Sequence, residues 1–245
     1  MGSDYRARVY KQYVSVHRRA LPPDTLVGGF GLRAPYLKRL IRDHFPAGRL
    51  AKVLDLGCGH GSLLHYARQA GYTSLSGVDV SPEQVAAAHR LGIEVVEQGD
   101  LLETLRALPD ASQDCIVAFD VIEHFTKQEL FGFVDQVHRV LIPGGRWIIH
   151  TCNGESPFVG RARYGDLTHE LAFTRESVAQ LLRSSGFVEV YCFEDTPVVH
   201  GVKSAIRWVL WKAIRATLRV YIAAETGDTD RECIFSQNFL TVAVK

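Results

Sequence analysis

A glycine-rich loop between an apolar strand and a helix constrains the fold of this chain more than any other sequence feature. The loop lies in V-L-D-L-G-C-G-H-G, residues 53–61. Glycines at the end of a first strand let the backbone approach a ligand at the N-terminus of the next helix. The dinucleotide fingerprint G-x-G-x-x-G would need glycine at position 62, which is serine here. The carboxylate of Asp55, two residues before Gly57, suits a positively charged amino-acid ligand and would repel a pyrophosphate.

Strand-like and helix-like segments alternate around this loop from about residue 35 to 193. Such alternation predicts an α/β fold with a parallel sheet. Ser81 and Thr174 are expected to cap two of the helices. The predicted helices are 35–45, 63–70, 82–90, 101–107, 127–141 and 175–185. The predicted strands are 51–56, 75–80, 93–97, 115–120, 146–151, 187–193 and 238–244.

Three regions follow from this pattern. Residues 1–34 form an N-terminal arm or lid, 35–193 plus 236–245 the core, and 194–235 a helical insert. Within the insert, residues 202–222 have apolar and basic positions on opposite faces of an amphipathic helix. It could act as a lid, as a contact in a homodimer, or as a peripheral contact with an anionic membrane surface. Most amphipathic helices bury their apolar side, which favours the lid or the dimer.

Composition excludes several classes of protein. A formal net charge of +1 gives no support for nucleic-acid binding. Five cysteines without paired metal-like spacing indicate reduced thiols rather than a disulfide framework or a zinc site. The charged N-terminus is unlike a signal peptide, and no apolar run reaches the length of a membrane span. We therefore expect a cytoplasmic protein, with any membrane contact peripheral, at the inner face.

Acidic residues follow four of the predicted strands. Asp55, Asp79, Asp100 and Asp120 all lie at or near the carboxyl edge of the sheet, where open α/β folds bind ligands. Asp79, 22 residues after Gly57, is placed to accept both hydroxyls of a ribose. Asp100 is placed to accept an adenine amino group. Each acid alone could be a helix cap, but four such caps by chance would be a rare coincidence.

The same segments resemble a known family. D-L-G-C-G-H-G, V-D-V-S (78–81), G-D-L-L (99–102), F-D-V-I-E-H-F (119–125) and L-I-P-G-G (141–145) are similar to class I S-adenosylmethionine-dependent methyltransferases. The resemblance implies a Rossmann-like sheet of seven strands, the last antiparallel and inserted before the sixth. It implies S-adenosylmethionine as cofactor. The cofactor would be bound by Asp55, Gly57, Cys58, Gly59, Asp79, Val80, Asp100, Leu101, Asp120, Val121 and Tyr13.

A methyl acceptor with a hydroxyl group needs a base, and the unperturbed pKa of histidine, about 6.5, suits that work. His124, His150 and His169 follow the predicted strands, and His169 is the leading candidate, with His124 and Glu170 beside it. His124 could instead be structural, and Glu170 and Thr174 could merely organise the start of a helix. No compact cluster of Asp, Glu and His is visible, so no metal site is predicted and metal dependence stays open.

The segment R-Y-G-D-L-T-H-E-L-A-F-T (163–174) resembles a subgroup of these enzymes from bacterial polysaccharide and lipopolysaccharide biosynthesis. That resemblance implies a sugar hydroxyl, on a nucleotide sugar or a glycan end, as the acceptor. Two alternatives stay open. One is an O-methyltransferase of a small phenol, as in quinone biosynthesis, and the other is a protein that keeps the cofactor fold without catalysis. The intact acids at 55, 79 and 100 argue against the second.

Overall fold

A seven-stranded sheet with the strand order β3-β2-β1-β4-β5-β7-β6 organises the chain. β7 is antiparallel to both β5 and β6, and the other neighbouring pairs are parallel. The computed structural model describes residues 5–16, 26–230 and 232–245. The predicted fold, with its last strand inserted before the sixth, is confirmed. The strands are β1 (Val53–Leu56), β2 (Leu75–Asp79), β3 (Val96–Gln98), β4 (Gln113–Phe119), β5 (Leu141–Cys152), β6 (Glu189–Glu194) and β7 (Asn238–Val244).

Ten α-helices and one short 3-10 helix (Ile122–His124) lie within the described residues. Most of them connect consecutive strands, as the alternating pattern predicts. The helices are α1 (Tyr5–Tyr10), α2 (Tyr13–Val16), α3 (Leu26–His44), α4 (Ser62–Gln69), α5 (Pro82–Arg90), α6 (Leu101–Ala107), α7 (Lys127–Val140), α8 (Val159–Arg163), α9 (Arg175–Ser184) and α10 (Val202–Thr226).

The sheet separates two apolar cores, because side chains alternate between its faces. On β4, Ile116 and Ala118 pack with α7 and α9, whereas Cys115 and Val117 pack with α3, α4 and α5. Trp147 of β5 is fully buried in the first core. Helices cover both faces of the sheet, so the loops lie at the two ends of the strands. The carboxyl ends of the parallel strands therefore meet along one edge of the sheet.

Several predicted boundaries are corrected. Strand β3 begins at Val96 rather than residue 93, because Ile93 is buried against the glycine loop, 3.0 Å from where a Cβ on Gly61 would lie. Helix α3 begins at Leu26, whereas the predicted helix began at residue 35. Pro35 lies inside α3, although proline lacks the N–H of a helical hydrogen bond. The helix therefore crosses residue 34, and the division into an arm and a core stays a prediction.

Of the two predicted caps, only one has the expected geometry. Thr174 Oγ1 accepts a hydrogen bond from the backbone N of Ser177 at 3.0 Å, which confirms it as the cap of α9. Ser81 precedes α5 but makes no side-chain cap, and its buried Oγ has no partner among the described residues. The backbone N of Ser81 donates to Asp79 Oδ1 at 2.8 Å.

Helix α10 is longer than predicted and ends at Gly227, which has a φ of 76°. A left-handed residue after the last turn is a common helix stop and favours glycine. Among the described helices, none is both long and apolar enough to cross a membrane.

Candidate active site

A cavity of about 580 Å³ lies at the sheet edge where β1, β2 and β4 end. Its wall brings together every residue that the sequence assigns to cofactor binding, although these residues come from five separate segments. Arg6, Tyr10, Arg33, His124 and Glu129 complete much of the remaining wall. The assigned residues on the wall are Tyr13, Asp55, Gly57, Cys58, Gly59, Asp79, Val80, Asp100, Leu101, Asp120 and Val121.

The loop after β1 requires glycine at its first position. Gly57 has a φ of 70°, and a Cβ there would lie 2.5 Å from Cγ2 of Val121. Both the backbone conformation and the close approach therefore exclude a larger residue. The Sγ of Cys58 is turned toward the sheet, 2.8 Å from where a Cβ on Gly77 would lie. Cys58 therefore lines the cavity while its thiol packs against β2.

Asp55 is the most unusual carboxyl group on the cavity wall. It is 2% exposed, and its Oδ1 accepts no hydrogen bond from any described residue. Burial, and then the charge of Asp79, raise its pKa to about 8. A buried carboxyl group without a donor is costly unless a ligand supplies one. Its geometry therefore suits a cationic ligand that carries N–H donors.

Asp79 ties the loops after β1 and β2 together. Its Oδ2 accepts the backbone N–H of Gly59 and its Oδ1 that of Ser81, both at 2.8 Å. Burial raises its pKa, and these two bonds oppose the rise. Each carboxylate oxygen can accept a further hydrogen bond, so the expected ribose contact stays a prediction.

Asp100 is a helix cap as well as a wall residue. Its Oδ1 accepts from the backbone N of Leu102 at 2.9 Å and of Glu103 at 3.0 Å, at the start of α6. The alternative reading of the four acids, that each could be a helix cap, is therefore correct for Asp100. Its expected contact with adenine stays a prediction.

Asp120 is held by a buried histidine that the sequence did not assign to the site. Asp120 has a φ of 59°, which is uncommon outside glycine, and its Oδ1 accepts a hydrogen bond from His150 Nδ1. His150 Nε2 donates at 2.8 Å to Asp195, which also accepts from the Tyr36 hydroxyl at 2.7 Å. Although burial opposes the charge, Asp120 and Asp195 raise the pKa of His150 to about 10. Asp120 therefore faces a charged imidazolium at neutral pH.

His124 lies on the cavity wall with its tautomer fixed. Its Nδ1 is 2.9 Å from Thr168 Oγ1, and the single proton of that hydroxyl is donated to Asp166 Oδ1 at 2.6 Å. His124 Nδ1 must therefore donate, which leaves the lone pair on Nε2. Burial, and then the neighbouring His169, lower the pKa of His124 to about 4. His124 is thus a neutral imidazole with a basic nitrogen at neutral pH.

His169 lies in contact with His124 but outside the cavity lining. The two ring centroids are 4.6 Å apart, and His169 Nδ1 donates to the carbonyl of Ala162 at 3.0 Å. Glu170 lies beyond it and accepts a hydrogen bond from the Tyr5 hydroxyl. The structure therefore places His124, rather than His169 or Glu170, on the wall, and the role of His169 as base stays a prediction.

Two groups of potential metal ligands, invisible in the sequence, come together in the fold. Within the described residues, His124, Asp166 and His169 offer ligand atoms within 4.8 Å of one another, as do Glu123, Cys152 and His169. Chain segments that are distant in sequence supply each group, which is why no spacing revealed them. Oδ1 of Asp166 already accepts two bonds from Thr168, and its Oδ2 accepts from Tyr13 at 2.9 Å. These protein donors favour an orienting role for Asp166.

The N-terminal helices cover part of this cavity. The Arg6 guanidinium binds both carboxylate oxygens of Glu129, at 2.8 and 2.6 Å, and donates to the carbonyl of His124 at 3.2 Å. The Arg6 hydrogen bonds lower the pKa of Glu129 to about 2. Arg6 is not predictable from the sequence, because a lone arginine in an N-terminal helix carries no positional signal.

Comparison with known proteins agrees with this geometry. Residues 54–149 match the family described as methyltransferase domain. Residues 54–149 are therefore a methyltransferase domain, and the sheet has the fold of S-adenosylmethionine-dependent methyltransferases. A crystal structure of such a methyltransferase from Archaeoglobus fulgidus superposes on 99% of this chain and 100% of that one. The TM-score is 0.61 at 19% identity, so this likeness concerns the fold.

Two curated relatives of the methyltransferase domain are similar in sequence. A probable S-adenosylmethionine-dependent methyltransferase of Mycolicibacterium smegmatis is 35% identical over 164 residues, 64% of this chain and 58% of that protein. A ubiquinone biosynthesis O-methyltransferase of Xylella fastidiosa is 36% identical over 108 residues, 42% of each chain. The chain thus spans about half the length of the curated relatives it matches.

The wall of the methyltransferase domain fits S-adenosylmethionine. The donor-less Asp55 suits the cationic amino-acid end of this molecule, and the space above Gly57 would be filled by any side chain at that position. When bound, S-adenosylmethionine supplies a methyl group activated by its sulfonium charge. The protein then has to hold the acceptor in line and remove its proton.

Proposed function

We propose that this chain is an O-methyltransferase that acts on a sugar hydroxyl, with His124 as the general base. The observation that carries the proposal is the position of His124 on the cavity wall with its Nδ1 bonded to Thr168. The Nε2 lone pair is then available for the proton of an acceptor hydroxyl. His169, 4.6 Å away between ring centroids, limits the movement of the His124 ring.

The motif at 163–174 supports a sugar as the acceptor, because its residues build the surroundings of His124. Asp166 and Thr168 orient His124, and the Arg163 guanidinium donates to the carbonyls of His169 and Glu170. This is the segment that resembles the polysaccharide subgroup. A motif that orients the general base is functionally linked to the class of acceptor from which the base removes a proton.

A small phenol is the second candidate acceptor. The Xylella fastidiosa relative is a ubiquinone biosynthesis O-methyltransferase, and Tyr10, Phe119 and Phe125 contribute aromatic rings to the cavity wall. A phenol, with a pKa near 10, is also more acidic than a sugar hydroxyl, so a weaker base can remove its proton.

Substrate and base are tested separately. The protein is incubated with methyl-labelled S-adenosylmethionine and, in turn, nucleotide sugars, glycan termini and simple phenols. Label on a sugar supports the proposal, and label on phenols alone overturns it. Absence of S-adenosylmethionine binding by calorimetry would overturn the enzymatic function altogether. Turnover that survives EDTA agrees with a base at His124, whereas its loss would give the group around Asp166 a metal-binding role.

His124→Asn tests the base, and we expect kcat to fall about 100-fold or more while S-adenosylmethionine affinity changes little. The matched control is His65→Asn, on α4 outside the cavity lining. Wild-type turnover in His124→Asn would transfer the role to another residue, with His169→Asn the next variant to measure.

A further inference from the structure

The outward face of α10 is apolar, although a globular protein normally turns such a face inward. At 100° per residue, Val202, Ile206, Val209, Ala213, Ala216 and Val220 form one stripe, and Leu210 borders it. Val202 is 77%, Val209 59% and Val220 70% exposed. Of the residues of α10, all of them described, only Ser204 is buried. We call these seven residues the apolar stripe.

The opposite face of α10 holds the helix to the domain. Arg215 Nε binds Glu194 Oε2 at 2.8 Å, and its Nη2 donates to the carbonyl of Cys233 at 2.9 Å. Ser204 Oγ accepts from the backbone N of His200 at 2.8 Å, a bond local to the start of the helix. No described residue of α10 lines the cavity, so the geometry does not favour a lid. The apolar stripe is therefore presented outward by a helix that is anchored from behind.

Basic residues flank the apolar stripe on both sides. On the helical wheel, Lys203 and Arg207 lie along one edge, and Lys212 and Arg219 along the other. With Arg215 and the single acid Glu225, α10 carries five positive charges and one negative, a net +4 in a chain whose total is +1. The rest of the chain is therefore net negative, and positive charge is concentrated around the stripe.

Aromatic side chains lie at the same edges. Trp208 is 38% and Tyr221 61% exposed, and Lys212 Nζ is 5.2 Å from the centre of the Trp208 ring. Tryptophan and tyrosine are enriched where apolar tails meet polar headgroups, because one part of each ring is apolar and the other can hydrogen-bond. An apolar stripe, basic edges and edge aromatics together have the pattern of a helix that lies in a membrane surface.

A second copy of the chain fits this surface less well. A symmetric contact through the apolar stripe would bring the basic edges of one helix against those of the other. Like charges at a contact repel, and Glu225 is the only acid on α10 that could offset them. Anionic headgroups would meet both edges with the opposite charge.

We propose that the apolar stripe of α10 binds the surface of an anionic lipid bilayer. The helix follows β6, whose end at Glu194 lies at the same sheet edge as the cavity, and the adjacent Asp195 is bonded to His150. Bilayer binding therefore brings the cavity edge of the sheet near the headgroups. The proposal is independent of the acceptor that the methyltransferase uses.

The test is co-sedimentation of the full chain with vesicles of phosphatidylcholine, with and without phosphatidylglycerol. We expect binding to the anionic vesicles that weakens with salt, and little binding to phosphatidylcholine alone. Val209→Glu should lower the affinity at least ten-fold. Its control is Val188→Glu, because Val188 is 71% exposed but lies just before β6, outside α10. Each of Lys203→Gln and Lys212→Gln should lower it roughly five-fold.

Three results would overturn the proposal. The first is wild-type protein that fails to bind anionic vesicles, and the second is Val209→Glu that binds as wild type does. The third is a dimer, seen by light scattering, that Val209→Glu dissociates without any vesicle binding, which would assign the stripe to a second copy. Titration with S-adenosylmethionine in each variant shows that the domain is folded, and it separates this proposal from the proposed methyl transfer.

Discussion

The Thr168 hydroxyl joins His124 to Asp166, accepting from His124 Nδ1 at 2.9 Å and donating to Asp166 Oδ1 at 2.6 Å. Because a hydroxyl has one proton, this pair of bonds decides which nitrogen of His124 is basic. A side chain with no acid or base function of its own therefore sets the chemistry of its neighbour.

Replacement of Thr168 by valine tests this relationship. Thr168→Val keeps the shape but removes the acceptor of His124 Nδ1, so we expect kcat to fall about ten-fold or more and stability to fall by about 1 kcal/mol. Thr241→Val is the control, since Thr241 is also fully buried and its hydroxyl contacts Cys192 on β6. A similar loss of kcat in both variants would show that packing, rather than the tautomer, is responsible.

Gly57 should be essential for its space as well as its conformation. We expect Gly57→Ala to abolish measurable S-adenosylmethionine binding in calorimetry, because the new Cβ would lie 2.5 Å from Val121. Gly92→Ala is the control, with a φ of 73° and no atom within 4 Å of the added carbon. It should cost about 1 kcal/mol of backbone strain and leave binding intact. Binding retained in Gly57→Ala would contradict the close approach.

Asp55→Asn should stabilise the free protein and weaken S-adenosylmethionine binding. Folding raises the pKa of Asp55 from its ordinary value of 3.8 to about 8, so the folded chain keeps a proton that the unfolded chain releases. The contribution of Asp55 to the free energy of unfolding is therefore fully present below pH 4 and is lost as pH rises toward 8. Asparagine does not titrate, so Asp55→Asn avoids this loss. Urea unfolding should show that the stability of Asp55→Asn relative to wild type is greater at pH 8 than at pH 5, by about 1 kcal/mol or more.

The exposed Asp135 of α7 supplies the control for that comparison. Asp135→Asn should leave the cofactor affinity unchanged and should not raise stability at pH 8. A variant at Asp55 that loses stability at pH 8 would mean that its carboxylate is satisfied in the free protein.

The buried imidazolium of His150 predicts the alkaline limit of stability. Its pKa is raised to about 10, so the unfolded chain loses the proton first, near pH 6.5. The stabilisation is complete below pH 6.5 and is lost as pH rises through 10. Urea unfolding at pH 7 and 9.5 should show a decline in wild type that His150→Gln lacks. Equal declines in the two proteins would assign the effect to other groups.

The parts of the fold and site that were predictable from sequence are those with local signals. The glycine loop and the acids at strand ends are readable because glycine conformations and strand ends are set by neighbours in the chain. Strand β3 was misplaced because an apolar run cannot show whether Ile93 pairs in the sheet or packs beneath the loop. The contacts of His150 with Asp195 and of Arg6 with Glu129 join residues 45 and 123 positions apart. No periodicity reports such pairs, and none reports which face of α10 is outward.

The position of β7 in the sheet determines when β6 can join the sheet during synthesis of the chain. β6 lies at the edge of the sheet and its neighbour is β7, which follows it in the chain. β6 therefore cannot join the sheet until residues 238–244 have left the ribosome. Until then Asp195 is not held against His150, and Glu194, which binds Arg215 of α10, is not yet part of the sheet. The growing chain thus presents α10 without an assembled sheet behind it for the time needed to make the 18 residues from Gly227 to Val244.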